Sequence, residues 1–219
     1  MLKKITNISN IVTWDKASDS LKIISNNDIL INNDKIVKIS SEIEEFDILI
    51  DANNHLITPG FIDSHTHPVF VNNRSNEFIM RLDNKNYTDI FNSGGGIHSS
   101  IRNLRKASFD ELYESALNNI RPFINNGTTS LETKTGYGLT FKDEIRSLEI
   151  IKKINNDLEI DLYPTFLGAH AVPAEFSNKK DEFIKLICNE MIPEISKNKL
   201  AIFCDVFCEE GYFNIEESE

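Results

Sequence analysis

The sequence predicts an α/β protein in which a small β-rich segment (1–57) is followed by about four βα units of a parallel, barrel-type sheet (58–219). Three observations carry this expectation. Up to about residue 57 the apolar residues come in short runs broken by Asn and Asp turns. Beyond it, apolar runs alternate with stretches of helical periodicity, the order that builds parallel sheets. The later runs also end in polar groups, and the carboxyl ends of strands are where a (β/α)8 barrel carries its reactive side chains.

Within the first segment, residues 8–14, 21–24, 28–32, 35–39 and 46–50 read as strands. Asn26-Asn27 and Asn32-Asn33-Asp34 supply the turns between them. In the second segment the strand-like runs are 56–62, 128–134, 161–167 and 201–207. Ser108 and Glu111 form a capping box that opens a helix with Phe109, Leu112, Ala116, Ile120 and Phe123 on one face. Asn125-Asn126-Gly127 closes it, and Pro122 is expected to kink or shorten its last turn. A second helix carries Ile145, Leu148, Ile150, Ile151 and Ile154. A third carries Phe183, Ile184, Ile187 and Met191 and is expected to end near Pro193. Four barrel-type strands are about half of the eight that a closed barrel of about 250 residues requires.

The strand ends hold the candidate chemistry. The run Thr58-Pro-Gly-Phe-Ile-Asp-Ser-His-Thr-His67 leads a short apolar strand into His65 and His67. Residues i and i+2 of an extended backbone project to one side, so both imidazoles can aim at one metal ion. Neutral imidazole suits zinc, iron and nickel. Arg74 has the forked donors to hold a carboxylate, or pairs with Glu77 at the surface. Ser93-Gly94-Gly95-Gly96-Ile97 lacks the Lys and spacing of a phosphate-binding loop and reads as a tightly turned loop over a site. His98 and His55 read as solvent-facing. Gly136 and Gly138 flank Tyr137 and let its phenol project into a cleft. The third strand delivers His170 to the same rim, within reach of a substrate. Asp205, Glu209 and Glu210, at the end of the fourth, have no role that the sequence specifies.

Bulk properties narrow the classes. Net charge is −11, from 34 acidic and 23 basic residues, which argues against a nucleic-acid partner. No apolar run approaches the roughly 20 residues that span a bilayer, and Met1-Leu-Lys-Lys-Ile-Thr-Asn7 lacks the apolar core of a signal peptide. The expectation is a cytoplasmic protein without a membrane partner. Cys188, Cys204 and Cys208 are an odd number outside any disulfide framework. With Phe203, Val206 and Phe207 around them, Cys204 and Cys208 read as core thiols of a buried strand.

The blocks 59–70, 74–78, 94–97 and 127–129, with Lys134-Thr-Gly-Tyr-Gly-Leu139, Pro164-Thr-Phe-Leu-Gly-Ala-His-Ala171 and Phe203-Cys-Asp-Val-Phe-Cys-Glu209, resemble the amidohydrolase superfamily of metal-dependent hydrolases, and within it the imidazolonepropionase family. The first block is shared widely; the Gly-Tyr-Gly-Leu and Phe-Leu-Gly-Ala-His blocks are much more specific. The resemblance implies an amidohydrolase-type TIM barrel behind a composite β-sandwich domain. It also implies hydrolysis of the cyclic amide of 4-imidazolone-5-propanoate to N-formimidoyl-L-glutamate, a step of histidine degradation. His65 and His67 would bind zinc or iron, Arg74 the propionate carboxylate, and Tyr137 and His170 the imidazolone, with His170 stabilising charge on oxygen. At full length a homodimer is implied. Family members add a His from strand 5, an Asp from strand 8 and an acidic proton shuttle, so the resemblance implies that these 219 residues are an N-terminal fragment, inactive alone. Two other readings are another amidohydrolase acting on a cyclic amide or nitrogen heterocycle, and a non-catalytic remnant or binding module.

Overall fold

The computed structural model describes residues 1–86, 89 and 95–219. The chain divides into two compact units, Met1–Gly60 and Phe61–Glu219. The first holds β1 (Leu2–Thr6), β2 (Ile11–Asp15), β3 (Ser20–Ile24), β4 (Asp28–Asn32), β5 (Lys35–Ser40) and β6 (Ile48–Asp51). Strands β5-β4-β1-β6 form one sheet, with β1 antiparallel to β4 and parallel to β6, while β2 and β3 form a hairpin. Strand β1 escapes a sequence reading because Lys3 and Lys4 interrupt its apolar pattern. Its Lys4 ammonium is satisfied by the Asp28 carboxylate at 3.0 Å and the Ile43 carbonyl at 2.9 Å.

The second unit is a four-stranded parallel sheet in chain order: β7 (Phe61–Thr66), β8 (Thr128–Lys134), β9 (Asp161–Ala169) and β10 (Phe203–Val206). Helices α1 (Ser75–Leu82), α2 (Ile97–Lys106) and α3 (Phe109–Asn125) lie between β7 and β8, and α4 (Phe141–Asp157) between β8 and β9. Between β9 and β10 come α5 (Lys180–Leu186), a π-turn over Ile187–Met191 and α6 (Ile192–Lys197); α7 (Ile215–Ser218) follows β10. Leu112 and Ile120 of α3, Leu148, Ile151 and Ile154 of α4, Leu131 and Phe166 of the sheet and Phe183 of α5 are completely or almost completely buried, and they belong to one core. No helix among the described residues is long and apolar enough to cross a membrane.

Several expectations are corrected. The strand expected over 56–62 begins at Phe61 and runs on to Thr66. Pro59 has no N–H to donate, and the first sheet bond is from Phe61 N–H to the Gly127 carbonyl, at 2.9 Å. Pro122 does not shorten α3, which reaches Asn125 before Gly127 turns away at φ +86°. The third helical stretch does not end at Pro193. A π-turn leads into α6, and Pro193 falls in that helix's first turn, where its missing N–H costs nothing. Cys204 and Cys208, expected in the core, are exposed here, as is Cys188; among the described residues β10 pairs on one side only, with β9. His98 is half-buried while His55 is exposed. Of the 93–97 loop, Ser93 and Gly94 lie outside the described residues.

The capping box forms as expected, with Glu111 N–H donating to Ser108 Oγ at 3.2 Å and Ser108 N–H donating to the Glu111 carboxylate at 2.8 Å. Replacing Ser108 by Ala should destabilise the protein by about 1 kcal/mol, and Leu148→Ala by roughly 2–5 kcal/mol. Urea denaturation checks both; an unchanged midpoint for Leu148→Ala contradicts its place in the core.

Candidate active site

Strand β7 does not present its histidines by simple alternation. Its register against β8 gains a residue between Asp63 and Thr66, and within that bulge the His65 N–H turns to the Asp63 carboxylate, at 3.2 Å. Bulges re-aim side chains in this way. The His65 and His67 rings lie 5.6 Å apart between centroids, His65 exposed and His67 half-buried.

His67 then meets what the next two strands deliver. It stacks on His170 at 5.1 Å and lies 5.3 Å from Tyr137, and Tyr137 and His170 are 5.5 Å apart. Arg74, Tyr137 and His170 share a cavity of about 220 Å³ with Glu77, Phe207 and Tyr212. Five sequence-predicted residues from three strand ends and one loop are therefore neighbours. Arg74 is half exposed and only 3.8 Å from Glu77, a loose pairing that leaves most of its donors for another partner. Glu77 also accepts the Gly96 N–H at 2.8 Å. Of the acids without an expected role, Asp205 enters an ion pair and Glu209 and Glu210 are exposed.

The two inner histidines are oriented by adjacent backbone carbonyls. His67 Nδ1 lies 3.0 Å from the Thr135 oxygen and His170 Nδ1 lies 2.9 Å from the Gly136 oxygen. A carbonyl only accepts, so each Nδ1 carries the proton, and in the neutral ring each Nε2 keeps its lone pair. Burial is the main cause that lowers the pKa of His67 to about 4, reinforced by the nearby His170, His65 and Lys134. Burial also pushes His170 below its ordinary value and raises the Tyr137 phenol, which stays protonated near neutral pH.

Gly136, at φ +107°, allows this close approach, because a Cβ there would lie 2.7 Å from His170 Nδ1. Gly138 is as constrained, with a Cβ 2.7 Å from the Asp143 backbone. Sequence reasoning missed the groups that fix this loop. Glu144 of α4 is fully buried and accepts the Gly138 and Leu139 N–H groups, each at 2.9 Å, and Gly136 N–H at 3.2 Å. Arg105 of α2 donates to the Gly138 and Leu139 carbonyls at 2.7 and 3.2 Å. Beneath the rim, buried Lys134 pairs with Glu132 at 2.8 Å and Asp205 at 2.7 Å. Burial lowers its pKa, but the two carboxylates win and hold it above its ordinary value. The one signal for these groups was a charged residue inside a strand, at Glu132 and Lys134.

Protonation of His67 is coupled to unfolding. Its folded pKa of about 4 lies below the ordinary 6.5, so the unfolded chain binds the proton first. The stability it contributes should be complete above pH 6.5 and lost as pH falls toward 4. Melting curves across this window should show a decline that is smaller in His67→Gln; identical declines would exclude His67 as a source.

No family model matches the chain. It is 40% identical to an imidazolonepropionase of Clostridium tetani over 230 residues, covering 98% of this chain and 54% of that protein. Imidazolonepropionases of Brevibacillus brevis (47% identical; 78% of this chain and 40% of the relative) and Geobacillus kaustophilus (42%; 93% and 50%) also match. The chain thus spans about half the length of the curated relatives it matches. Among solved structures, guanine deaminase of Clostridium acetobutylicum with bound guanine superposes with a TM-score of 0.55 at 20% identity, over 94% of this chain and 46% of that one. An atrazine chlorohydrolase of Arthrobacter aurescens, complexed with zinc and atraton, superposes with a TM-score of 0.56 at 15% identity, over 88% and 43%. These two likenesses show that the chain shares its fold with about half of each of those proteins. With sequence identity of this extent along nearly its whole length, the chain belongs to the imidazolonepropionase family.

Proposed function

We propose that the protein carrying this chain hydrolyses the cyclic amide of 4-imidazolone-5-propanoate to N-formimidoyl-L-glutamate in a metal-dependent reaction. The observation that carries this reading is the meeting of His65, His67, Tyr137, His170 and Arg74 at one end of the parallel sheet. The sheet in chain order supports the first four units of a (β/α)8 barrel over 58–219, and the division at Gly60 supports a separate β-rich domain over 1–57.

His65 and His67 are imidazole donors of the kind that suits zinc or iron. His67 offers an unprotonated Nε2, and the His65 ring lies beside it, so the pair fits two positions of a coordination sphere. Among the described residues no group of three or more His, Cys, Asp or Glu side chains is placed to hold a metal, and catalytic zinc sites use three protein ligands. His65 and His67 are therefore a partial ligand set. A bound ion there supplies hydroxide near neutral pH, by lowering the pKa of its water toward about 7.

The other residues bind and orient. Arg74 presents a fork to the propionate carboxylate. Tyr137, kept protonated by burial, donates a hydrogen bond to the ring. His170, neutral with its proton on Nδ1, accepts an imidazolone N–H at Nε2; stabilising negative charge on oxygen requires its imidazolium form, which burial disfavours. In the overall reaction water's oxygen joins the ring carbonyl carbon, the C–N bond breaks and the leaving nitrogen takes a proton.

The test is turnover of 4-imidazolone-5-propanoate by the protein carrying this chain, with metal content measured on the same sample. His67→Ala should lose the metal and the activity. Arg74→Ala should lower kcat/KM roughly tenfold to a hundredfold, mainly through KM, the loss expected for a charged hydrogen-bonded pair. Unchanged KM in Arg74→Ala, or preference for another cyclic amide across a substrate panel, would sink the assignment.

A further inference from the structure

We propose that Glu144 is a positioning residue of the candidate active site: its carboxylate fixes the backbone of 135–139 so that two consecutive peptide carbonyls hold the Nδ1–H groups of His67 and His170 and leave both Nε2 atoms for chemistry. This deepens the hydrolase reading and rests on it for the roles of the two rings, but not for their orientation.

Glu144 is remote from any role in its own helix. Thr140 already caps α4, accepting the Asp143 N–H at 3.1 Å. The Glu144 carboxylate faces backward into the loop instead, where Oε1 accepts from Gly136, Gly138 and Leu139 and Oε2 from Gly136. A fully buried carboxylate carries a large desolvation penalty. What it accepts in return is three backbone N–H donors that a tight loop would otherwise bury unpaired.

The consequence for the rings follows from connectivity. The carbonyls that receive His67 and His170 belong to Thr135 and Gly136, and the Gly136 N–H between them is held by Glu144. That peptide carries the Thr135 carbonyl and adjoins the one that carries the Gly136 carbonyl, so displacing it disturbs both acceptors. On the far side Arg105 grips the Gly138 and Leu139 carbonyls and is itself paired with Glu175 at 2.8 Å, so the loop is held from two helices. Gly136 leaves no slack, since its α-carbon already abuts His170.

The test uses nitrogen-15-labelled histidine in the whole protein and reads ring tautomers by NMR at pH 7. In the wild type both His67 and His170 should carry the proton on Nδ1. Glu144→Gln replaces one acceptor oxygen by an NH2 that faces N–H donors, and should convert both rings to mixed tautomers. A retained Nδ1–H form at both rings in folded Glu144→Gln overturns the proposal, because a merely structural role would lower stability and leave the tautomers unmoved. Should that variant not fold, amide exchange in the wild type decides. The Gly136, Gly138 and Leu139 amides should exchange at least about a hundredfold more slowly than in an unstructured chain; faster exchange overturns the proposal. Absence of metal or of imidazolonepropionate turnover would remove the hydrolase reading while leaving these ring measurements to judge Glu144 alone.

Discussion

A buried carboxylate that accepts backbone N–H groups from the Gly136–Leu139 loop is the constraint on which the site is built. Glycines at 136 and 138 make the turn sterically open, and openness alone would leave the loop free to sample many paths. Glu144 and Arg105 remove that freedom from opposite sides, one taking N–H groups and the other giving hydrogen bonds to carbonyls. The apolar core into which α2 and α4 both pack holds those two anchors at a fixed distance. The geometry of the candidate site is thus inherited from helix packing through backbone hydrogen bonds, a rigid route by which a scaffold can position side chains.

The positions of the site were legible in the sequence because barrel-type strands announce themselves. An apolar run that ends in His65 and His67, or in His170, marks its own carboxyl end, and Gly136-Tyr137-Gly138 marks a sharp turn beside it. The fold was legible for the same reason where periodicity is strong, as in α3 and α4, whose buried residues match the apolar spacing. Helices α1 and α2 were not: both are short, and α1 buries no residue and α2 only three. Pro122 and Pro193 misled in one direction: the first was expected to kink or shorten its helix and the second to end one, whereas the first helix runs on to Asn125 and a π-turn leads past the second into α6.

The anchors were illegible for a different reason. An acidic residue in the first turn of a helix ordinarily complements the helix dipole at the surface. Glu144 has that position and is buried because the Gly136–Leu139 loop, eight to five residues earlier in the chain, closes over it, which helical periodicity does not encode. Lys134 and Asp205 are 71 residues apart and meet only when β8 and β10 flank β9.

The pairing of His67 and His170 with successive carbonyls has an evolutionary corollary. Two rings with different proposed duties rest on two consecutive peptides joined at Gly136, so they form a single heritable trait. Drift in the 135–139 backbone that retunes how one ring meets a substrate also retunes how the other meets a metal. New specificities should therefore be reached more readily through side chains that stand apart from these two peptides, such as Arg74 on its own loop, than through the peptides themselves.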